Sequence, residues 1–248
     1  MSSNDSVLRS LAAAAAARYA GAGRFTMGFV RGKLACDPVY RALLTQGLLP
    51  GRGRVLDLGC GRGLFPALLC ATRTWLYGNP WPQEWPTPPV GLTVYGIERH
   101  SRHALIARRA MGSADRVEIA DLTDCSLPYC DAALLLDVLQ FLPGELQQTL
   151  LERVAGRLAP DGVLIIREAD AGAGRRYSIT RGAERLCAVA RGGWRQAYHY
   201  RGADEWRRLL GRVGFEARVA PMSQGTPFAN VMLVARPAPA RVAETRDR

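Results

Sequence analysis

Lysine is almost absent from this chain: Lys33 stands alone among 33 basic residues, the rest being arginine. A formal charge of +11 would ordinarily bring nucleic acid forward as a partner, because clustered cations gain affinity by releasing phosphate counterions. These arginines are scattered over helix ends and polar faces, without the aromatic interleaving of a single-strand binding track. Their abundance beside alanine reads as coding bias, so no nucleic-acid partner is expected, and an acidic partner stays open. Histidine is scarce, at three, and the six cysteines (Cys36, Cys60, Cys70, Cys125, Cys130 and Cys187) form no C-x-x-C pair. The usual zinc spacings are therefore missing and no metal is expected; His100 and His103 share a helical face without completing a site. A chain of 248 residues needs no disulfide staples, so reduced thiols in a cytoplasm are expected. Long apolar runs are missing too. Residues 11–17 are too few for a membrane span and lack a secretory cleavage context, and they read as an Ala-rich amphipathic helix.

What is present is a hydrophobic content of 48%, enough for one large core, so one α/β domain with an added cap is expected. There is no internal repeat. From residue 54 onward strands alternate with helices, the pattern of a mostly parallel sheet covered on both faces. Strands are expected at 55–58, 93–97, 117–120, 131–137, 163–167, 215–220 and 231–235, the last two finishing the sheet in antiparallel fashion. Helices are expected at 64–72, 101–111 with Ser101 as N-cap, 145–158 and 203–213. The run Ala159-Pro160-Asp161-Gly162 is expected to stop the third of these before the fifth strand.

Three segments stand outside the alternation. Residues 1–50 form a helical preface able to lie over the mouth of a site. Residues 74–89, inside a domain spanning 51–236, are an insertion with Trp75, Trp81 and Trp85 among five prolines. That insertion covers its own domain or a dimer seam, or else offers tryptophans to a membrane surface. Residues 170–201 interrupt the fold as a lid rich in Arg, Tyr, Trp and His, and 237–248 is expected to be a disordered tail.

The run Val55-Leu56-Asp57-Leu58-Gly59-Cys60-Gly61-Arg62-Gly63 is a strand ending in an acidic residue and a glycine-rich turn that opens a helix. A dinucleotide fingerprint would place its third glycine at position 64, which is Leu64, and Asp57 would repel a pyrophosphate. A ligand carrying an ammonium and a sulfonium would be attracted instead. Glu98 ends the second strand, where a carboxylate can accept both hydroxyls of a ribose, and Asp121 follows the third, where it can accept from an adenine amino group. Carboxylates at three successive strand ends, all on the ligand side of a parallel sheet, are hard to explain as solvated charges.

Residues 54–168 resemble class I S-adenosylmethionine-dependent methyltransferases in V-L-D-L-G-C-G-x-G, the acidic strand end, the acidic adenine site, L-L-D-V-L-x-F-L-P and L-x-P-D-G. The resemblance implies a Rossmann-like seven-stranded sheet, mostly parallel with an antiparallel last strand, plus a helical N-terminal cap and an inserted lid. It implies S-adenosyl-L-methionine as cofactor, with Asp57, Gly59, Cys60, Gly61 and Gly63 against it. Glu98, with Arg99 beside it, would hold the ribose, Asp121 and Leu122 would flank the adenine, and Asp137 and Gln140 would edge the methionine end. His100 and His103 are expected as a solvated or adenine-side pair. Cys60 is expected to pack as a small residue.

The acceptor is narrowed by exclusion. After the fourth strand the chain reads Asp137-Val138-Leu139-Gln140, unlike the Asn/Asp-Pro-Pro-aromatic turn of enzymes that methylate base amines, and no Pro-Cys or Thr-Cys setting supplies a nucleophile for a pyrimidine ring. The segments around Trp194, Arg195, Tyr198, His199 and Tyr200, and around Ser223, Gln224 and Phe228, are expected to line the acceptor. Together they resemble methyltransferases of bacterial aryl-polyene (xanthomonadin-like) pigment synthesis. That resemblance implies an aromatic or polyene acyl small molecule as acceptor, free or on an acyl carrier protein. O-methylation is expected there, with His199, the one histidine expected on the substrate side outside the cofactor helix, as general base; capping or packing against the following helix is its alternative role. A packed cap would also account for Trp194 and the tyrosines. The rival functions are an RNA or protein methyltransferase and a noncatalytic methyltransferase-like subunit, against which the intact glycines and carboxylates count.

Overall fold

The computed structural model describes residues 3–190 and 197–239; Trp194, Arg195 and most of the expected tail lie outside them. Four elements lead into the sheet: α1 (Ser3–Ala17), a single 3-10 turn (Ala20–Ala22), α2 (Arg24–Cys36) and α3 (Pro38–Thr45). The alternation follows as β1 (Arg52–Leu58), α4 (Leu64–Leu76), β2 (Gly91–Ile97), α5 (Ser101–Ala110), β3 (Arg116–Glu118), β4 (Cys130–Leu136), α6 (Gly144–Ala155) and β5 (Leu158–Ala169). The chain ends through α7 (Arg175–Ala190), α8 (Ala203–Arg212), β6 (Phe215–Pro221) and β7 (Asn230–Pro237).

The seven strands lie in the order β3-β2-β1-β4-β5-β7-β6, and β7 alone runs opposite in direction to the other six. Both faces of the sheet are buried, which is why the central strands are continuous apolar runs. Alternation along each strand divides the core. Val55, Val94, Leu134 and Ile165 pack under α1 to α5, whereas Leu56, Ile97, Leu135 and Ile166 pack under α6 and α8. In α8 the stripe Trp206, Leu209 and Leu210 is fully buried. Burial of each such leucine contributes roughly 1.5–3 kcal/mol before the entropy of ordering it.

β5 begins earlier than the sequence suggests. Ala159-Pro160-Asp161-Gly162 does not cap α6, which ends by Gly156; it lies within β5, where the pairing jumps from Cys130 with Leu158 to Ala132 with Val163. Pro160 and Asp161 are exposed in that irregularity, a place where proline gives up no ladder hydrogen bond.

Strand order reverses between β1 and β4, and the carboxyl ends there form the crevice in which open α/β sheets take ligands. The insertion sits at the opposite end, because α4 runs back from the glycine turn and its last turn absorbs residues 74–76. The rest folds on itself: Trp75 Nε1 donates to the Pro80 carbonyl at 3.3 Å, Trp81 Nε1 to that of Pro86 at 2.9 Å, and the Trp81 and Trp85 rings meet edge to face at 5.1 Å. All three tryptophans are half-buried and Asn4 of α1 donates to Glu84, an arrangement in which the insertion covers its own domain. Among the described residues no helix is long and apolar enough to cross a membrane.

Candidate functional site

The glycine turn after β1 is shaped by what crowds it. Gly59, Gly61 and Gly63 all have positive φ, at 71°, 58° and 75°, a region costly for residues with a Cβ. At Gly59 a Cβ would sit 2.6 Å from Val138 Cγ2, and at Gly63 it would sit 3.0 Å from the Ala107 Cβ of α5. At Gly61 it would meet nothing within 4 Å, so this glycine faces the open crevice. Cys60 is turned inward, its Sγ against Gly96, and burial raises its thiol well above the ordinary range; it packs rather than reacts. From the cap, the buried Tyr19 hydroxyl lies 2.9 Å from both the Arg62 and Gly63 carbonyls, fixing the turn from behind.

Asp57 and Glu98 are buried side by side at the exits of β1 and β2. Burial, reinforced by Glu98, pushes the Asp57 carboxyl up to about 7. Glu98 accepts from the Gly61 amide at 2.9 Å and from the His100 amide at 2.7 Å, which ties the two turns together. His100, rather than Ser101, is the N-cap of α5; it makes no side-chain cap hydrogen bond, and its own amide donates to Glu98. Arg99 is exposed and donates to His100 Nε2 at 3.4 Å, and the His100 and His103 rings lie 5.5 Å apart. Asp121 is exposed beyond β3; the amide and hydroxyl of Thr123 donate to its Oδ1 and hold it below the usual carboxylate range, with Leu122 buried behind it.

Asp137, at the exit of β4, is the one non-glycine residue with positive φ among those described, at 61°. Burial would raise its pKa, but Arg167 and Lys33 outweigh that and hold it below the ordinary value. Arg167 and Lys33 also bind Asp37, at 3.1 and 2.9 Å, while Asp37 caps α3 by accepting from Val39 N. This four-charge cluster fastens the cap to the carboxyl ends of β4 and β5. Sequence reasoning missed it, since its members lie up to 134 positions apart, from Lys33 to Arg167, and only Asp137 belongs to a motif.

Gln140 is buried, its backbone carbonyl accepting from His199 N at 2.8 Å while its Oε1 has no partner among the described residues. Gln147 of α6, fully buried, donates to the carbonyls of Leu139 and His199 at 3.0 and 2.9 Å and accepts from Arg201 Nε at 2.6 Å. The segment 197–201 is thereby laid along the β4 exit. Tyr198 and Tyr200 stack at 5.7 Å with an interplanar angle of 5°, Phe141 lies 5.4 Å from Tyr198, and Tyr177 of α7 meets Tyr200 edge to face at 5.3 Å. Two-residue alternation puts both tyrosines on one face and the exposed His199 on the other.

The reversal of β7 brings the β6–β7 connection to the same end of the sheet, since Asn230 pairs with Ala169. Within it Ser223 and Phe228 are half-buried and Gln224 is exposed, its amide donating to the Pro221 carbonyl. Ala229 N donates to Thr180 Oγ1 at 2.8 Å, docking α7 against the connection. Among the described residues no group of His, Cys, Asp and Glu is arranged to hold a metal ion.

Comparison with known proteins agrees with this arrangement. A family model described as a methyltransferase domain matches residues 29–218. The chain is 32% identical over 142 residues to a carboxy-S-adenosyl-L-methionine synthase of Actinobacillus succinogenes, covering 53% of each; it thus spans about half the length of that curated relative. Among solved structures it resembles the magnesium protoporphyrin IX methyltransferase of Synechocystis with bound S-adenosylmethionine (22% identity, 86% of this chain and 84% of that one, TM-score 0.54). It also resembles CalO1, a methyltransferase of calicheamicin biosynthesis (17% identity, 92% and 69%, TM-score 0.58), and DhpI in complex with S-adenosylhomocysteine (18%, 93% and 98%, TM-score 0.57). At these identities the structural likenesses establish the shared Rossmann-like fold.

Proposed function

The chain belongs to the methyltransferase-domain family, and from that premise we propose that it is an S-adenosylmethionine-dependent enzyme that methylates a small organic acceptor, an aromatic or polyene acyl compound, on oxygen. The observation that carries the cofactor assignment is the burial of Asp57 and Glu98 beside open Gly61. Both influences on Asp57 raise its pKa, so the recess favours a ligand that brings positive charge and no phosphate. S-adenosylmethionine, when bound, supplies an electrophilic methyl group on a sulfonium. Gly59, Gly61 and Gly63 form its cradle, Asp57 meets its positive end, and Glu98 with Arg99 holds the ribose. Asp121 and Leu122 flank the adenine, and the turn of Asp137 and Gln140 borders the methionine end.

The acceptor reading rests on the rings of Phe141, Tyr177, Tyr198 and Tyr200, which offer a flat apolar surface beside the same crevice. The neighbours named for porphyrin and calicheamicin chemistry accord with a small acceptor. Ser223, Gln224 and Phe228 border this surface from the β6–β7 connection, whereas His199, expected as the base for a hydroxyl acceptor, lies on the opposite face of the segment from the tyrosines and does not look onto it. The test is incubation with methyl-labelled S-adenosylmethionine and a panel of hydroxyaryl and aryl carboxylic acids. Label in the organic extract supports the reading, label in added RNA or protein transfers it to a macromolecular acceptor, and no transfer despite binding leaves a noncatalytic subunit. The relative's name motivates a second reading, in which S-adenosylmethionine is itself the substrate, and this would show as a nucleoside product of altered mass.

A further inference from the structure

The turn after β4 touches both halves of the crevice. On one side Val138 lies so close to Gly59 that no side chain fits between them, and on the other the Gln140 carbonyl holds His199 N at 2.8 Å. Its own conformation is awkward, because Asp137 adopts a φ of 61° without being glycine. Two adjacent residues of β5 supply the restraint. The Arg167 carbonyl accepts from Asp137 N at 2.8 Å, and Glu168 Oε1 accepts from both Val138 N, at 2.9 Å, and Leu139 N, at 2.7 Å. Those amides begin a 3-10 turn and, without Glu168, would be left as largely buried donors with no partner.

We propose that Glu168 is a positioning residue whose carboxyl pins the β4-exit turn in the conformation that joins the glycine loop to the acceptor segment. The proposal rests on the methyltransferase reading above and deepens it by giving a role to a residue outside the expected cofactor and acceptor sets.

The chemistry of the group suits that task. Glu168 is 1% exposed, and its Oε2 is buried without a partner among the described residues. Burial and then Asp137 raise its pKa; the two amides and Arg167 oppose them, and the balance lies well above the ordinary value. The charged groups around it are thus Asp137 from the β4 exit and Arg167 from its own strand, with Lys33 and Asp37 of the cap behind them, and on β7 it faces Val231. A neutral carboxylic acid accepts through Oε1 and carries its proton on Oε2, a pattern that a glutamine amide reproduces.

The experiment measures S-adenosylhomocysteine affinity by calorimetry, together with melting temperature and amide exchange at residues 138, 139 and 199, in the wild type, Glu168→Gln and Glu168→Ala. Glu168→Gln is expected to bind within about twofold of the wild type, and Glu168→Ala roughly tenfold or more weakly, with faster exchange at all three amides. If Glu168→Ala does not fold, Glu168→Asp takes its place, its carboxyl one methylene short of both amides. Unchanged affinity in a folded Ala or Asp variant overturns the proposal. So does a Glu168→Gln variant as weak as Glu168→Ala, since charge rather than hydrogen-bond geometry would then be what matters. A wild type that binds no S-adenosylhomocysteine overturns the cofactor reading instead, and exchange at 138, 139 and 199 then decides the pinning role by itself: unaltered rates in the Ala or Asp variant reject it.

Discussion

Arg167 of β5 and Asp37 at the head of α3 form a buried ion pair of 3.1 Å across 130 positions of sequence. The same guanidinium reaches Asp137, so one arginine fastens the N-terminal cap to the strand exits that border the crevice. Lys33 completes the cluster from α2 at the half-exposed edge. Cap and sheet are therefore joined by charge at the place where the cofactor's methionine end is proposed to lie.

Replacing Arg167 by Met should leave Asp37 and Asp137 buried against each other with only Lys33 to offset them. Removing one partner of a buried pair costs about 3–5 kcal/mol, most of it the desolvation of the charges left behind. Urea unfolding of Arg167→Met should show a loss of that size, and Lys33→Met a smaller one because Lys33 is partly solvated. Equal effects from the two would contradict the central role of Arg167.

Asp57 gives the protein a pH dependence opposite in sign to that of most carboxylates. With a pKa of about 7 in the folded chain against an ordinary 3.8, the folded state holds more protons than the unfolded state between those values. Stability contributed at this site is therefore greatest below pH about 4 and falls as pH rises towards 7. A cationic ligand favours the ionised form, so binding near pH 6 should release a proton. The enthalpy of binding should then vary with the ionisation enthalpy of the buffer, and Asp57→Asn should abolish that variation. A buffer-independent enthalpy in the wild type would contradict the assignment.

His199→Gln separates two acceptor chemistries. A general base typically contributes about 10²–10⁴-fold to rate, so a loss of at least ~10²-fold confined to hydroxyaryl acceptors would make His199 that base, whereas its place on the face opposite Tyr198 and Tyr200 predicts activity close to that of the wild type on both acceptor classes. Full activity on hydroxyaryl acceptors, with cofactor binding preserved, would remove His199 from the reaction.

Much of this architecture was legible in the sequence because parallel strands buried on both faces leave continuous apolar runs, and because a glycine turn is bounded by what backbone geometry permits. The fourth strand, expected at 131–137 with its run Ala132 to Leu136, and the motif ending in Gly63 are such cases. Side-chain partnerships were less legible. Nothing in Lys33, Asp37 or Arg167 taken alone marks a cluster, and Glu168 reads as the end of a strand until the two amides it accepts from are seen. Ala159-Pro160-Asp161-Gly162 misled for a local reason: its residues favour a turn, yet a bulge opposite Cys130 accommodates them inside β5. The facing of Tyr198 and Tyr200 shows only in the alternation of burial along 197–200, half-buried at the two stacked tyrosines and exposed at His199 between them.

In the proposed function the carboxylates at the ends of β1 and β2 hold S-adenosylmethionine. Calorimetric titration of the wild type, Asp57→Ala and Glu98→Ala with S-adenosylmethionine, and of the wild type with NAD, tests it most directly. The wild type should bind S-adenosylmethionine and show no NAD binding, and each variant should lose about 1.5–3 kcal/mol, the usual worth of a hydrogen bond to a charged group. Unchanged affinity in both variants, or wild-type binding of NAD in preference, would contradict the account.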